Sequence, residues 1–192
     1  MKNIPNILTV LRLFCVPSFI CLFFLVAPVA ALPVFLLAGL TDVLDGYLAR
    51  KNGWTSTFGK VLDPIADKLM QCAVLICFAV NGYLSVWLAL PFILKEVAQG
   101  ILSIAMFQRR NVHTVSRWYG KAAVSIFYFA VSATILARLL DRFTGPIELS
   151  LLLLWILTLI FMLFAFTSYV VAYAKMAARL KKEWKGNVRE DG

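Results

Sequence analysis

Long apolar stretches recur almost from end to end of this chain. Hydrophobic residues fill 61% of its 192 positions, and mean hydropathy is +0.84. A soluble domain is about 45–50% apolar, so one buried core cannot absorb the excess. Membrane-crossing helices can, because they satisfy their own backbone and need only about 20 apolar residues to span about 30 Å of hydrocarbon. Six stretches fit, at 8–27, 33–48, 64–80, 86–107, 118–140 and 148–173. Residues 4–8 read as a short interfacial lead-in, 28–33 as a tight break, and 50–62 as a polar loop carrying Gly53 and Gly59. Asn81-Gly82 closes the third stretch. The expected fold is all-α and integral to the membrane. It has six transmembrane helices, a short N-terminal interfacial helix and a basic C-terminal tail, in a single domain over 1–192. The polar Arg12 interrupts the first apolar run, which argues against a cleaved leader.

Net charge is +9. On so apolar a chain, basic residues mark cytoplasmic loops and anionic-lipid contact rather than nucleic-acid binding. Six crossings sort the charges cleanly. Lys2, Arg12, Arg50, Lys51, Lys60, Lys68, Arg109, Arg110, Arg117, Lys121 and the tail from Lys175 to Arg189 fall on one side, and Arg138 and Arg142 on the other. That places both termini in the cytoplasm, consistent with a bacterial inner membrane. The tail keeps a helical period through Lys175, Arg179 and Lys182, as expected of a basic helix at the lipid surface.

Cys15, Cys21, Cys72 and Cys77 lie in apolar runs, with no zinc or redox spacing, and read as packing residues. His113, the single histidine, falls in a basic loop and reads as solvated rather than catalytic. Trp54, Trp87, Trp118 and Trp184 suit the membrane interface, whereas Trp155 sits mid-span and should pack inside.

The chemistry concentrates at the facing ends of the second and third stretches. The run reads Asp42-x-x-Asp45-Gly46-x-x-Ala49-Arg50, then Gly59-x-x-x-Asp63-x-x-x-Asp67. Asp42 and Asp45 are three apart, and Asp63 and Asp67 four apart, so each pair shares a helix face. A short connection makes the two helices expected antiparallel neighbours with converging carboxylates. Each aspartate in a helix centre costs about 2.5–3.5 kcal/mol, so cations must neutralise the group. Arg50, Lys60 and Lys68 are near in sequence. An all-oxygen cluster of this kind also suits Mg²⁺ or Mn²⁺, and four carboxylates can hold two divalent metals. Gly46 and Gly59 leave room for a ligand beside the helices. Arg50 offers a planar fork for a metal-bridged phosphate.

This pattern resembles the signature of the CDP-alcohol phosphatidyltransferase family at every fixed position. The stretch Asn3-Ile-Pro-Asn6-Ile-Leu-Thr9-Val-Leu-Arg12, with Pro17, is similar to the bacterial phosphatidylglycerophosphate and cardiolipin synthases of that family. The likeness is strongest in the first third and continues through Lys95-Glu96 and Gly120-Lys121. It implies six transmembrane helices, a homodimer and a polar cavity open to the cytoplasm. It implies two divalent metals on Asp42, Asp45, Asp63 and Asp67, with Asp67 as catalytic base. Gly46, Ala49, Arg50 and Gly59 match positions around the CDP of the donor, CDP-diacylglycerol. The implied reaction releases CMP.

The acceptor implied is glycerol-3-phosphate, whose pocket should be basic. Lys95, Glu96, Arg109, Arg110, Arg117 and Lys121 are the candidates for it. The alternative is phosphatidylglycerol, the cardiolipin-synthase acceptor, favoured by the run Ala38-Gly-Leu-Thr-Asp42-Val-Leu-Asp45. Two cations common in phosphatidylglycerophosphate synthases are replaced here by Ser103 and Ala123. A small transporter is the rival from another class, disfavoured because no inverted repeat is visible.

Overall fold

The computed structural model describes residues 4–52, 57–108, 118–140 and 145–190, with side chains described over 7–44, 65–103, 120–140 and most of 145–174. The described residues form six α-helices and no strand. These are α1 (Ile4–Leu25), α2 (Pro28–Asn52), α3 (Thr57–Val80), α4 (Val86–Gln108), α5 (Trp118–Leu139) and α6 (Gly145–Glu190).

The helices are longer than the apolar runs alone suggest. Residues 4–8 are the first turns of α1 rather than a separate element. The break at 28–33 shrinks to Val26 and Ala27, whose amides both bond the Leu22 carbonyl at 3.2 and 3.0 Å. Pro28 opens α2, where its missing N–H costs nothing, and Pro33 lies inside the same helix. The polar loop expected at 50–62 is helical on both flanks, up to Asn52 and from Thr57. Polarity there reflects charged helix ends, not loss of helix. The basic tail is no separate element either. It continues α6, whose 46 residues measure about 70 Å, more than twice the hydrocarbon thickness.

Four of the described helical stretches are long and apolar enough to cross a membrane: 7–25, 86–103, 120–139 and 145–172. The apolar part of α2, Pro28–Leu44, is shorter, and α3 carries Lys60, Asp63, Asp67 and Lys68. Phe14, Leu25, Trp87, Phe129 and Leu153 are all exposed. Large apolar side chains pointing outward over most of the helices fit lipid rather than water. The chain is an integral membrane protein.

Inside, aromatic rings stitch the bundle together. Trp155 of α6 is buried and meets Phe78 of α3, Phe92 of α4 and Phe127 of α5 edge-on, with ring centroids 5.9, 5.5 and 5.9 Å away. Its indole N–H donates to Thr134 Oγ1 at 3.1 Å, so its single polar atom is satisfied. Trp87 is exposed, as expected of an interfacial anchor, while the side chains of Trp54, Trp118 and Trp184 lie outside the described residues. Cys15 and Cys77 are buried, and Cys21 faces outward on α1.

The α3–α4 turn is pinned from the end of α5. Gly82 takes φ +69°, a left-handed conformation that ends α3 without a Cβ penalty. Arg138 Nη2 donates to the Gly82 carbonyl at 3.2 Å, and the guanidinium lies 4.8 Å from the Tyr83 ring centroid.

Helix α1 packs on both α2 and α3, α3 on α4, α5 on α6, and α2 on α5. Among the described residues α2 and α3 touch each other only marginally. The facing ends of α2 and α3, 45–64, carry side chains outside the described residues, and over the described part α1 is a principal neighbour of both helices. We predict that Trp155→Ala lowers stability by about 3–5 kcal/mol through the cavity it leaves, measured by denaturant unfolding in detergent.

Candidate active site

The site begins with an arginine inside an apolar helix. Arg12 is 1% exposed on α1, where an unpaired charge would be prohibitive. Its Nη1 lies 2.9 Å from Asp42 Oδ1 on α2. The pair anchors α1 against α2, while the Asp42 side chain stays 46% exposed. Immediately before Asp42, the Thr41 hydroxyl donates back to the Ala38 carbonyl at 2.8 Å.

A second charged chain runs from α3 to α4. Lys68 Nζ lies 3.3 Å from Asp67 Oδ2, 2.7 Å from Glu96 Oε2 and 3.3 Å from Gln71 Oε1. The contact to Gln71 is a hydrogen bond, and the two carboxylates hold the ammonium as ion pairs. Glu96 Oε1 in turn accepts from Lys95 Nζ at 2.7 Å. Two carboxylates and two ammoniums thus form one linked group of zero net charge. Lys95 and Glu96, expected from sequence as a functional pair, are tied through Lys68 to Asp67. Gln71 is fully buried, and its amide nitrogen has no hydrogen-bond partner among the described residues.

Asp67 keeps 23% of its side chain exposed. The phenol of Tyr128, on α5, lies within electrostatic reach of Asp67, Asp42 and Arg12. Asp42 and Asp67 therefore border one region although they come from different helices.

The remaining sequence candidates divide as follows. Asp45 lies on α2 and Asp63 on α3, but their side chains are outside the described residues. The same holds for the surroundings of Gly46, Ala49, Arg50 and Gly59. Arg109, Arg110, His113 and Arg117 fall in or beside 109–117, outside the described residues. Lys121 is exposed near the start of α5. Ala123, the position expected from the resemblance to carry a second lysine, is buried in the apolar core. The Ser103 hydroxyl is committed to the Gln99 carbonyl at 2.8 Å.

Among the described residues no three acidic, histidine or cysteine side chains converge as a metal group. The chemistry of the two described carboxylates nonetheless fits a hard divalent cation. Both are oxygen donors, both retain open surface, and both border the Tyr128 region. A metal there would compete with Arg12 and Lys68 for them.

The sequence profile of the CDP-alcohol phosphatidyltransferases matches residues 2–181. The chain belongs to that family. It is similar to the CDP-diacylglycerol–glycerol-3-phosphate 3-phosphatidyltransferase of Haemophilus influenzae, 33% identical over 178 residues, covering 88% of this chain and 91% of that protein. The protein of the same name from Pectobacterium atrosepticum is 36% identical over 139 residues, 68% of this chain and 75% of its own. A probable phosphatidylglycerophosphate synthase of Mycobacterium tuberculosis is 33% identical over 156 residues, 78% and 71% respectively. In this phosphatidyltransferase the described charged and phenolic side chains of the cluster come from helices α1 to α5.

Arg12 was visible as a charge in an apolar run, which is itself a signal of a buried partner. Lys68 was expected from its position to neutralise the aspartates, and it pairs with Asp67. Its bridge to Glu96 on α4, and the placement of Tyr128, left no sequence signal, because both depend on how the helices pack.

We predict that Glu96→Met destabilises the protein by about 3–5 kcal/mol, since it strands buried Lys95 and leaves Asp67 as the one carboxylate on Lys68 among the described residues. Adding Lys95→Met should recover much of that loss, because the remaining Asp67–Lys68 pair is balanced. Unfolding midpoints of the single and double variants check the sign.

Proposed function

We propose that this phosphatidyltransferase moves the phosphatidyl group of CDP-diacylglycerol onto glycerol-3-phosphate, releasing CMP. The observation that carries it is the linked chain from Asp67 through Lys68 and Glu96 to Lys95. It joins a carboxylate suited to accept a proton with an ammonium suited to hold an anionic acceptor. Among the described residues Lys95 commits to Glu96 alone, and two of its three donors remain for a phosphate. The printed names of the relatives from Haemophilus influenzae and Pectobacterium atrosepticum support the same acceptor.

In this account Asp67 takes the proton of the acceptor hydroxyl, and Lys68 holds that carboxylate in place. The freed oxygen forms a bond to the lipid-side phosphorus, and the bond from that phosphorus to the CMP oxygen breaks. Arg50 carries charge on the departing nucleotide, with Gly46, Ala49 and Gly59 around it. Two divalent metals, Mg²⁺ or Mn²⁺, held by Asp42, Asp45, Asp63 and Asp67, would neutralise the diphosphate. Arg109, Arg110, Arg117 and Lys121 would add basic contacts at the cytoplasmic mouth. Glu96 serves as the anchor between both lysines rather than as a ligand of the acceptor.

Six crossings, with both termini and the site facing the cytoplasm of a bacterial inner membrane, fit the sorting of basic residues. A homodimer is the assembly we propose. The basic end of α6 would lie against anionic head groups.

We predict that purified protein with Mg²⁺ or Mn²⁺ releases CMP from CDP-diacylglycerol when glycerol-3-phosphate is supplied. Asp67→Asn should lower turnover at least about 100-fold in protein whose folding is verified by its unfolding transition. Release with phosphatidylglycerol alone would move the assignment to the cardiolipin-synthase reaction, and full turnover by folded Asp67→Asn would remove the base.

A further inference from the structure

Tyr128 is built into the bundle with unusual constraint for a residue that carries no charge. Its ring stacks on Phe35 of α2, centroids 4.3 Å apart and planes 16° from parallel. Phe127 meets it edge-on at 6.4 Å. A Cβ placed on Gly39 would lie 2.4 Å from the Tyr128 ring and 2.9 Å from its hydroxyl oxygen. Gly39 is thus the position that admits the phenol against α2. No hydrogen bond joins that hydroxyl to another described residue. A half-buried phenol near two carboxylates, held by stacking and left with an unused donor, is arranged for a ligand rather than for packing.

Its depth narrows the ligand. Gly39 precedes Asp42 by three residues, about 4.5 Å along α2, toward the apolar end and away from Arg50 and Lys51. The phenol therefore meets the site from the membrane side of the carboxylates. An amphiphilic donor must lie with its nucleotide toward the polar end and its lipid toward the apolar end. The phosphate nearest the phenol is then the one bearing the lipid.

We infer that the Tyr128 hydroxyl donates a hydrogen bond to the lipid-side phosphate of the nucleoside-diphosphate-linked donor, making it a substrate-contacting residue. This rests on the donor reading above. The phenol is a neutral donor, so it orients the phosphate without competing for the charges that Asp42 and Asp67 balance.

The test compares two soluble probes on the full chain in lipid nanodiscs with Mg²⁺. CDP carries a second phosphate and CMP does not. Tyr128→Phe keeps the stacked ring and removes only the donor. Its affinity for CDP should fall roughly tenfold, as expected for one hydrogen bond to a charged group, while CMP affinity stays within about twofold. Gly39→Ala, which displaces the ring, should show the same selective loss. Equal losses for both nucleotides, or no loss for CDP in folded Tyr128→Phe, would overturn the inference while leaving the donor reading intact. A wild-type chain that binds neither nucleotide would overturn the donor reading and this contact with it.

Discussion

Charge inside an apolar bundle has to be neutralised where it stands, and the arrangement of α1 to α4 follows from that requirement. Arg12 is almost completely enclosed, so α1 must bring it to a carboxylate, and Asp42 on α2 pairs with it. Lys95 and Glu96 sit in the middle of α4, and α3 must supply Lys68 to complete them. Each ion pair crosses a helix boundary or extends one that does. The aromatic contacts around Trp155 hold the other end of the bundle by shape, but it is the charged groups that fix which helix faces which.

The same pairing leaves the site poised. Asp42 and Asp67 are held by protein cations and yet keep open surface. A carboxylate locked in a dry pair could not exchange partners, and a fully solvated one would not be positioned. Held on one side and open on the other, each can meet a cation or a substrate with little rearrangement. That balance suits a family whose reaction moves charged phosphate at the edge of a lipid phase.

Much of this was legible in the sequence. Helical class, membrane character and the Asp42–Asp67 run follow from residue type and spacing, because local periodicity and charge cost set them. Lys95-Glu96 stood out because adjacent charges in an apolar run are costly unless used. What failed to show depended on packing. The polar stretch 50–62 read as loop, but the helices extend through its flanks, since polarity at a membrane surface does not oppose helix. The packing of α1 on both α2 and α3 is encoded by no spacing. The place of Gly39 against the Tyr128 ring is set by the packing of α5 on α2, which no local pattern encodes.

Oxygen ligands around Asp42 and Asp67 are proposed to hold divalent metal. Electron paramagnetic resonance can count the Mn²⁺ bound per chain, with CDP present to complete the site. We predict two Mn²⁺ per wild-type chain, and loss of at least one in Asp42→Asn and in Asp67→Asn. Wild-type protein that binds CDP with no Mn²⁺, or aspartate variants that retain the full complement, would contradict it.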